Sequence, residues 1–108
     1  MKKMIIAIIN SDDAPSVIQN LMKNHYSVTK LASSGGFLRS GNVTILVGVD
    51  AESVQNVIEL ISKYSKSRKQ IIPSTFEAGA YIDPTMPFEV TVGGATIFVL
   101  DVERFEKV

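Results

Sequence analysis

From Val28 to Gly48 the chain reads V-T-K-L-A-S-S-G-G-F-L-R-S-G-N-V-T-I-L-V-G, two β-branched apolar runs around glycines, hydroxyls, one Phe and one Asn. A plain hairpin connection needs about two to five residues, and this one is longer. Unhindered amides at Gly35 and Gly36, the hydroxyls before them, the Phe37 ring and the Asn42 carboxamide suit a small polar ligand with phosphates and a flat ring. The segment matches neither a Walker loop nor a dinucleotide fingerprint, since no helix and no Gly-Lys-Ser/Thr follows. Spacing alone therefore favours a structural loop over a ligand site. Phe37 packing on its own domain, and Thr29 and Asn42 as strand filling and turn capping, are the plainer readings. Gly48 interrupts an otherwise good strand. A bulge and the close approach of a ligand explain it equally well.

Other chemistry is limited by composition. There is no cysteine and one histidine, His25, so thiolate and multi-histidine metal sites within one chain are excluded. Eleven basic and eleven acidic residues cancel, which gives no bulk charge for a nucleic acid polymer or an anionic membrane. No carboxylate pair stands at a diagnostic spacing and no Ser has a visible base, so no enzyme is read here and no cofactor is implied. The longest apolar run, Met4 to Ile9, is too short for membrane insertion. Lys2 and Lys3 resemble the start of a signal peptide, but Asn10-Ser-Asp-Asp cuts the apolar region short. The expectation is a cytoplasmic protein of one domain, residues 1–108.

The elements that must position these residues follow from periodicity. Met4 to Ile9, Tyr26 to Ser33 and Asn42 to Val49 read as strands. Asp12 or Asp13 caps a helix with Pro15 in its first turn and a stripe of Val17, Ile18, Leu21 and Met22, ending near Asn24 beside a capping or solvated His25. Asp50 caps a second helix, with Val54, Val57, Ile58 and Ile61 on one face. Lys63, Lys66, Arg68 and Lys69 read as its solvated basic end. Ser65 to Pro87 has no period and reads as a long functional or mobile loop. Phe88 to Val92 and Ala95 to Val102 read as strands joined in a hairpin by Gly93-Gly94.

The order β-α-β-β-α-β with an extra C-terminal hairpin strand is that of an α+β, ferredoxin-like sandwich. Both helices then cover one sheet face. Met4 to Ile9 and Thr96 to Val102 are apolar at both parities, so the other face also needs burial. Homo-oligomerisation is the simplest way to supply it.

Thr29 to Thr44, T-K-L-A-S-S-G-G-F-L-R-S-G-N-V-T, resembles the signature of the PII-like cyclic di-AMP receptor proteins of Gram-positive bacteria, which are signal-transduction proteins. The opening M-I-I-A-I-I and the later E-V-T-V-G-G-A-T-I-F-V-L extend the resemblance over nearly the whole chain. It implies a homotrimer that binds cyclic di-AMP between subunits and relays binding to a partner protein by ordering the glycine turn and the long loop. By resemblance Thr29, Asn42 and the backbone near Gly48 hold an adenine edge. Gly35, Gly36, Phe37 and Leu38 wrap the phosphates and ring, and Phe98 lines the cleft.

Ser27 stands where the family usually carries an Arg, and replaces a bidentate charged contact by a hydroxyl. The chain ends Phe105-Glu106-Lys107-Val108 in place of a Phe-His-Gln-Phe pattern. Thr75 to Gly79 stands in place of a Met-Gly-Gly pattern. These departures open an alternative: a PII-like trimer that has lost cyclic di-AMP and serves as an interaction module or binds another adenine nucleotide.

Overall fold

Alternation along the first strand dictates the layering. The computed structural model describes residues 1–31, 41–72 and 88–108. Lys2–Asn10 forms β1, in which Ile5, Ala7 and Ile9 are fully buried while their neighbours are half-buried. β1 pairs antiparallel with β3 (Asn42–Asp50) on one side and with β6 (Ala95–Asp101) on the other. β2 (Val28–Lys30) adds antiparallel to β3, giving the sheet order β2-β3-β1-β6.

Register then assigns the faces, because side chains directly opposite in a ladder point the same way. Ile5 faces Val47 and Val99, and Ala7 faces Ile45 and Ile97. Two helices pack on this face, α1 (Ala14–Lys23) and α2 (Val54–Tyr64), and their Val17, Leu21, Val57 and Ile61 complete the core. Met4, Ile6, Ile8, Leu46, Phe98 and Leu100 belong to the opposite face, which no helix covers. Phe98 and Leu100 are 51% and 45% exposed.

The sheet and its helices follow the expected βαββαβ order of an α+β, ferredoxin-like fold. The extra strands do not behave as the sequence suggests. Arg68–Ile72, inside the expected loop, forms β4, and it pairs antiparallel with β5 (Phe88–Val92) in a separate two-stranded ribbon. Gly93-Gly94 is therefore no hairpin turn. β5 leaves for β4 and β6 leaves for β1, and the glycine pair carries the chain from ribbon to sheet. Both glycines have positive φ, 82° and 81°. A Cβ at Gly93 would come within 2.5 Å of Arg68 Nη1 and 2.6 Å of the Lys66 carbonyl oxygen.

The expected caps also have other employment. Asp13 does occupy the position before α1, but its carboxylate makes no capping bond. It is instead held by both Arg68 nitrogens, Nη2–Oδ1 at 3.1 Å and Nη1–Oδ2 at 3.2 Å. Those hydrogen bonds, and then the carboxylate's charge, raise the Arg68 pKa above its ordinary value. A raised pKa contributes stability below the unfolded value and loses it as pH rises through the folded one, so the cation persists at every ordinary pH. Arg68 is thus part of the fold and not a solvated helix end. Asp50 precedes a short 3-10 turn, Ala51–Ser53, makes no capping bond, and pairs with Lys2 at 3.3 Å.

α1 closes in a Schellman arrangement, in which the His25 N–H donates to Met22 O at 2.9 Å and the Tyr26 N–H donates to Leu21 O at 3.1 Å. His25 sits there at φ 69°, where a side chain costs free energy that glycine avoids. His25→Gly is expected to raise unfolding stability by about 1 kcal/mol in urea titration. Leu21→Ala, which empties a fully buried position, is expected to lower it by about 2–5 kcal/mol in the same assay.

Candidate ligand-binding cleft

β2, β3 and β1 lie side by side, so Thr29, Leu46 and Gly48 fall on the helix-free face with Met4 across from Gly48. These residues floor a cleft of about 460 Å³, and Ser27, one residue before β2, lines it with them. Lys2 and Lys3 line its β1 side. The remaining wall is the C-terminal segment after β6, through Val102, Phe105, Glu106 and Lys107.

Gly48 is the informative floor residue. The β1–β3 pairing runs from Lys2↔Asp50 to Asn10↔Asn42 without a slip, so no bulge explains it. Its φ is not positive, and a Cβ built on it meets nothing within 4 Å. Nothing among the described residues requires the position to be bare. A flat polar group approaching the sheet would require it, since the backbone there lies open on the cleft side.

The tail is held against the cleft by identifiable contacts. The Val102 N–H donates to Lys2 O at 3.2 Å. The Lys2 ammonium lies 5.1 Å from the centre of the Phe105 ring. Lys2 also pairs with Asp50, and Lys3 with Asp101. Lys2, Val102 and Phe105 additionally border a shallower depression of about 800 Å³, whose other lining includes Glu103 and Arg104.

Of the residues singled out from the sequence, the structure brings Ser27, Thr29 and Gly48 into one cleft. Phe98 lies on the same sheet face, opposite Ile6 in the ladder, and outside that cleft. Asn42 sits at the far end of β3, opposite Asn10, about 20 Å from Gly48 at the usual rise per strand residue. It borders a separate small depression with Gly93, Gly94 and Thr96. Gly35, Gly36, Phe37 and Leu38 lie outside the described residues.

Lys2 and Leu46 are not among the site residues read from the sequence, and Phe105 enters there only within the departing C-terminal pattern. Leu46 was recoverable from alternation along its strand. Lys2 and Phe105 become neighbours only because β6 pairs with β1, which no local signal announces. Among the described residues no three His, Cys, Asp or Glu side chains gather as a metal site, and no helix is long and apolar enough to cross a membrane.

Comparison with known proteins adds two findings. The profile of a family described as Cyclic-di-AMP receptor matches residues 1–108. A solved structure described as a functionally unknown protein from Pediococcus pentosaceus ATCC 25745 superposes with a TM-score of 0.75 at 37% identity, covering 99% of this chain and 97% of the other.

If Gly48 is bare for a visitor and not for the fold, filling it should not harm the isolated fold. Gly48→Ala is expected to leave unfolding stability unchanged or to raise it by about 0.5 kcal/mol, measured by denaturant titration, because Ala fixes a strand better than Gly.

Proposed function

Because the chain belongs to the cyclic-di-AMP receptor family, a PII-like family of non-catalytic signalling proteins, we propose that it binds cyclic di-AMP in this cleft. The reading is carried by one observation: Ser27, Thr29 and an unobstructed Gly48 meet on the floor of a single cleft. The Thr29 hydroxyl and the strand backbone at Gly48 satisfy the polar edge of an adenine. Met4 and Leu46 cover its faces, and Phe105 closes the side.

The site is completed between subunits of a homotrimer. Asn42 and Gly48 share a sheet face but stand about 20 Å apart, beyond the reach of one base. Asn42 joins the adenine only as a contribution from a neighbouring copy. The uncovered face with Ile6, Ile8, Phe98 and Leu100 supplies the apolar surface for that assembly. Gly35, Gly36, Phe37 and Leu38, a few residues after β2 in the chain, are the groups this reading assigns to the phosphates. Ligand binding orders this turn and the segment between β4 and β5, which changes the surface offered to a partner protein. The shift available is the ligand's differential affinity for the two arrangements.

A second reading is favoured by Ser27 and Glu106, which give the cleft a hydroxyl and a carboxylate where the family resemblance expects an Arg and a His. In it the trimer has lost cyclic di-AMP and binds another adenine nucleotide, or none. Calorimetry with cyclic di-AMP, ATP, ADP and AMP separates the two readings. The expected result is saturable cyclic di-AMP binding with a matching rise in melting temperature, and three copies by native mass spectrometry. Ser27→Arg is expected to tighten binding about tenfold or more, the worth of one bidentate charged contact. A flat titration with cyclic di-AMP beside a clear one with another nucleotide selects the second reading.

A further inference from the structure

The charges around the cleft are arranged unevenly. Of the three lysines that line it, Lys2 pairs with Asp50 and Lys3 with Asp101, carboxylates that do not line it, and Lys107 is the third. Glu106 shows the reverse arrangement. It lines the cleft, and its carboxylate pairs at 2.7 Å with Arg104, which lines the neighbouring depression. The tail therefore places Glu106 at the cleft and its cationic partner at the neighbouring depression. Phe105, between them in sequence, is anchored under the Lys2 ammonium and fixes that orientation.

We propose that Glu106 is a specificity-determining residue of the cleft, a built-in negative charge that opposes anionic ligands and sets how strongly their phosphates are held. The proposal rests on the reading of the cleft as a cyclic di-AMP site. A carboxylate on the wall of a cleft this small lies within about one Debye length, ~10 Å at 0.1 M salt, of any phosphate bound there. The anchor is the stacked pair Lys2–Phe105, so the same contact that builds the wall also delivers the repulsion. Lys2 has a double part. It attracts the ligand's charge directly, and it holds in place the segment that resists it. Removing the carboxylate leaves the first effect without the second.

The test is calorimetric titration of cyclic di-AMP into the wild type, Glu106→Gln, Phe105→Ala and the double variant, at low and high salt. Glu106 is exposed, and Gln keeps its shape, so the fold is retained. Glu106→Gln is expected to bind about two- to fivefold more tightly at low salt, with the gain vanishing at high salt. In the Phe105→Ala background the same change is expected to have no effect, since the tail no longer presents the carboxylate. Binding by Glu106→Gln alone, with a silent wild type, also supports the proposal. Equal or weaker binding by Glu106→Gln beside a binding wild type overturns it and leaves the ligand assignment standing. A gain that persists in the Phe105→Ala background overturns the role given to the anchor. Silence from both wild type and Glu106→Gln overturns the ligand assignment and this proposal together.

Discussion

The two-sidedness of β1 is the constraint from which the rest of the architecture follows. Ile5, Ala7 and Ile9 turn to the helices and are fully buried, while Met4, Ile6 and Ile8 turn to the face that no described helix covers and stay half-buried. A central strand with only one apolar parity would leave a sheet content to face water on its other side. This one carries hydrophobic side chains on both. Burial of each large aliphatic side chain is worth about 1.5–3 kcal/mol. Part of the strand's stabilising capacity therefore lies unused in a single subunit, and on the same face the chain places a bare glycine, a threonine and a serine.

The ribbon of β4 and β5 is tied to this body at a few points. Asp13, nearly buried at the start of α1, grips Arg68 at the start of β4. Gly93 leaves room for that guanidinium, and the Gly94 N–H donates to the Ser65 carbonyl at the end of α2. The β4 start is thereby docked where two helix ends and the sheet converge. β6 runs from this junction along β1 and hands the chain to the tail that walls the cleft. A single seven-residue strand thus spans from the ribbon's root to the cleft's rim.

Much of this was written plainly in the sequence, and the failures share one cause. The buried stripes of both helices, the strand from Asn42 and the unsatisfied second face follow from local periodicity, which needs no knowledge of partners. Pairing is a different matter. Gly93-Gly94 carries the dihedral signature of a hairpin, yet β5 and β6 find other partners, because β1 offers β6 an apolar match in Ile5↔Val99 and Ala7↔Ile97. Arg68–Ile72 was hidden because its charged first half continues the basic run after α2. Asp13 and Asp50 stand where caps belong, and the structure pairs both with cations distant in sequence. In the cleft, Gly48 is visible as an oddity of its strand, while Thr29 reads as ordinary strand filling and stands out only through the family resemblance. The tail is marked only by its departing pattern, and its contact with Lys2 depends on which strand β6 joins.

The ladder between β1 and β3 runs nine pairs without a slip. Along it, core positions and cleft positions alternate residue by residue, so Val47 and Val49 belong to the interior and Leu46 and Gly48 to the cleft side. A strand displaced by one step would exchange the two sets wholesale. Descent with insertions or deletions is therefore closed to this strand, and lineages can diverge here only by replacing one side chain at a time. Binding preference can drift in such a lineage while the frame that displays it is inherited intact.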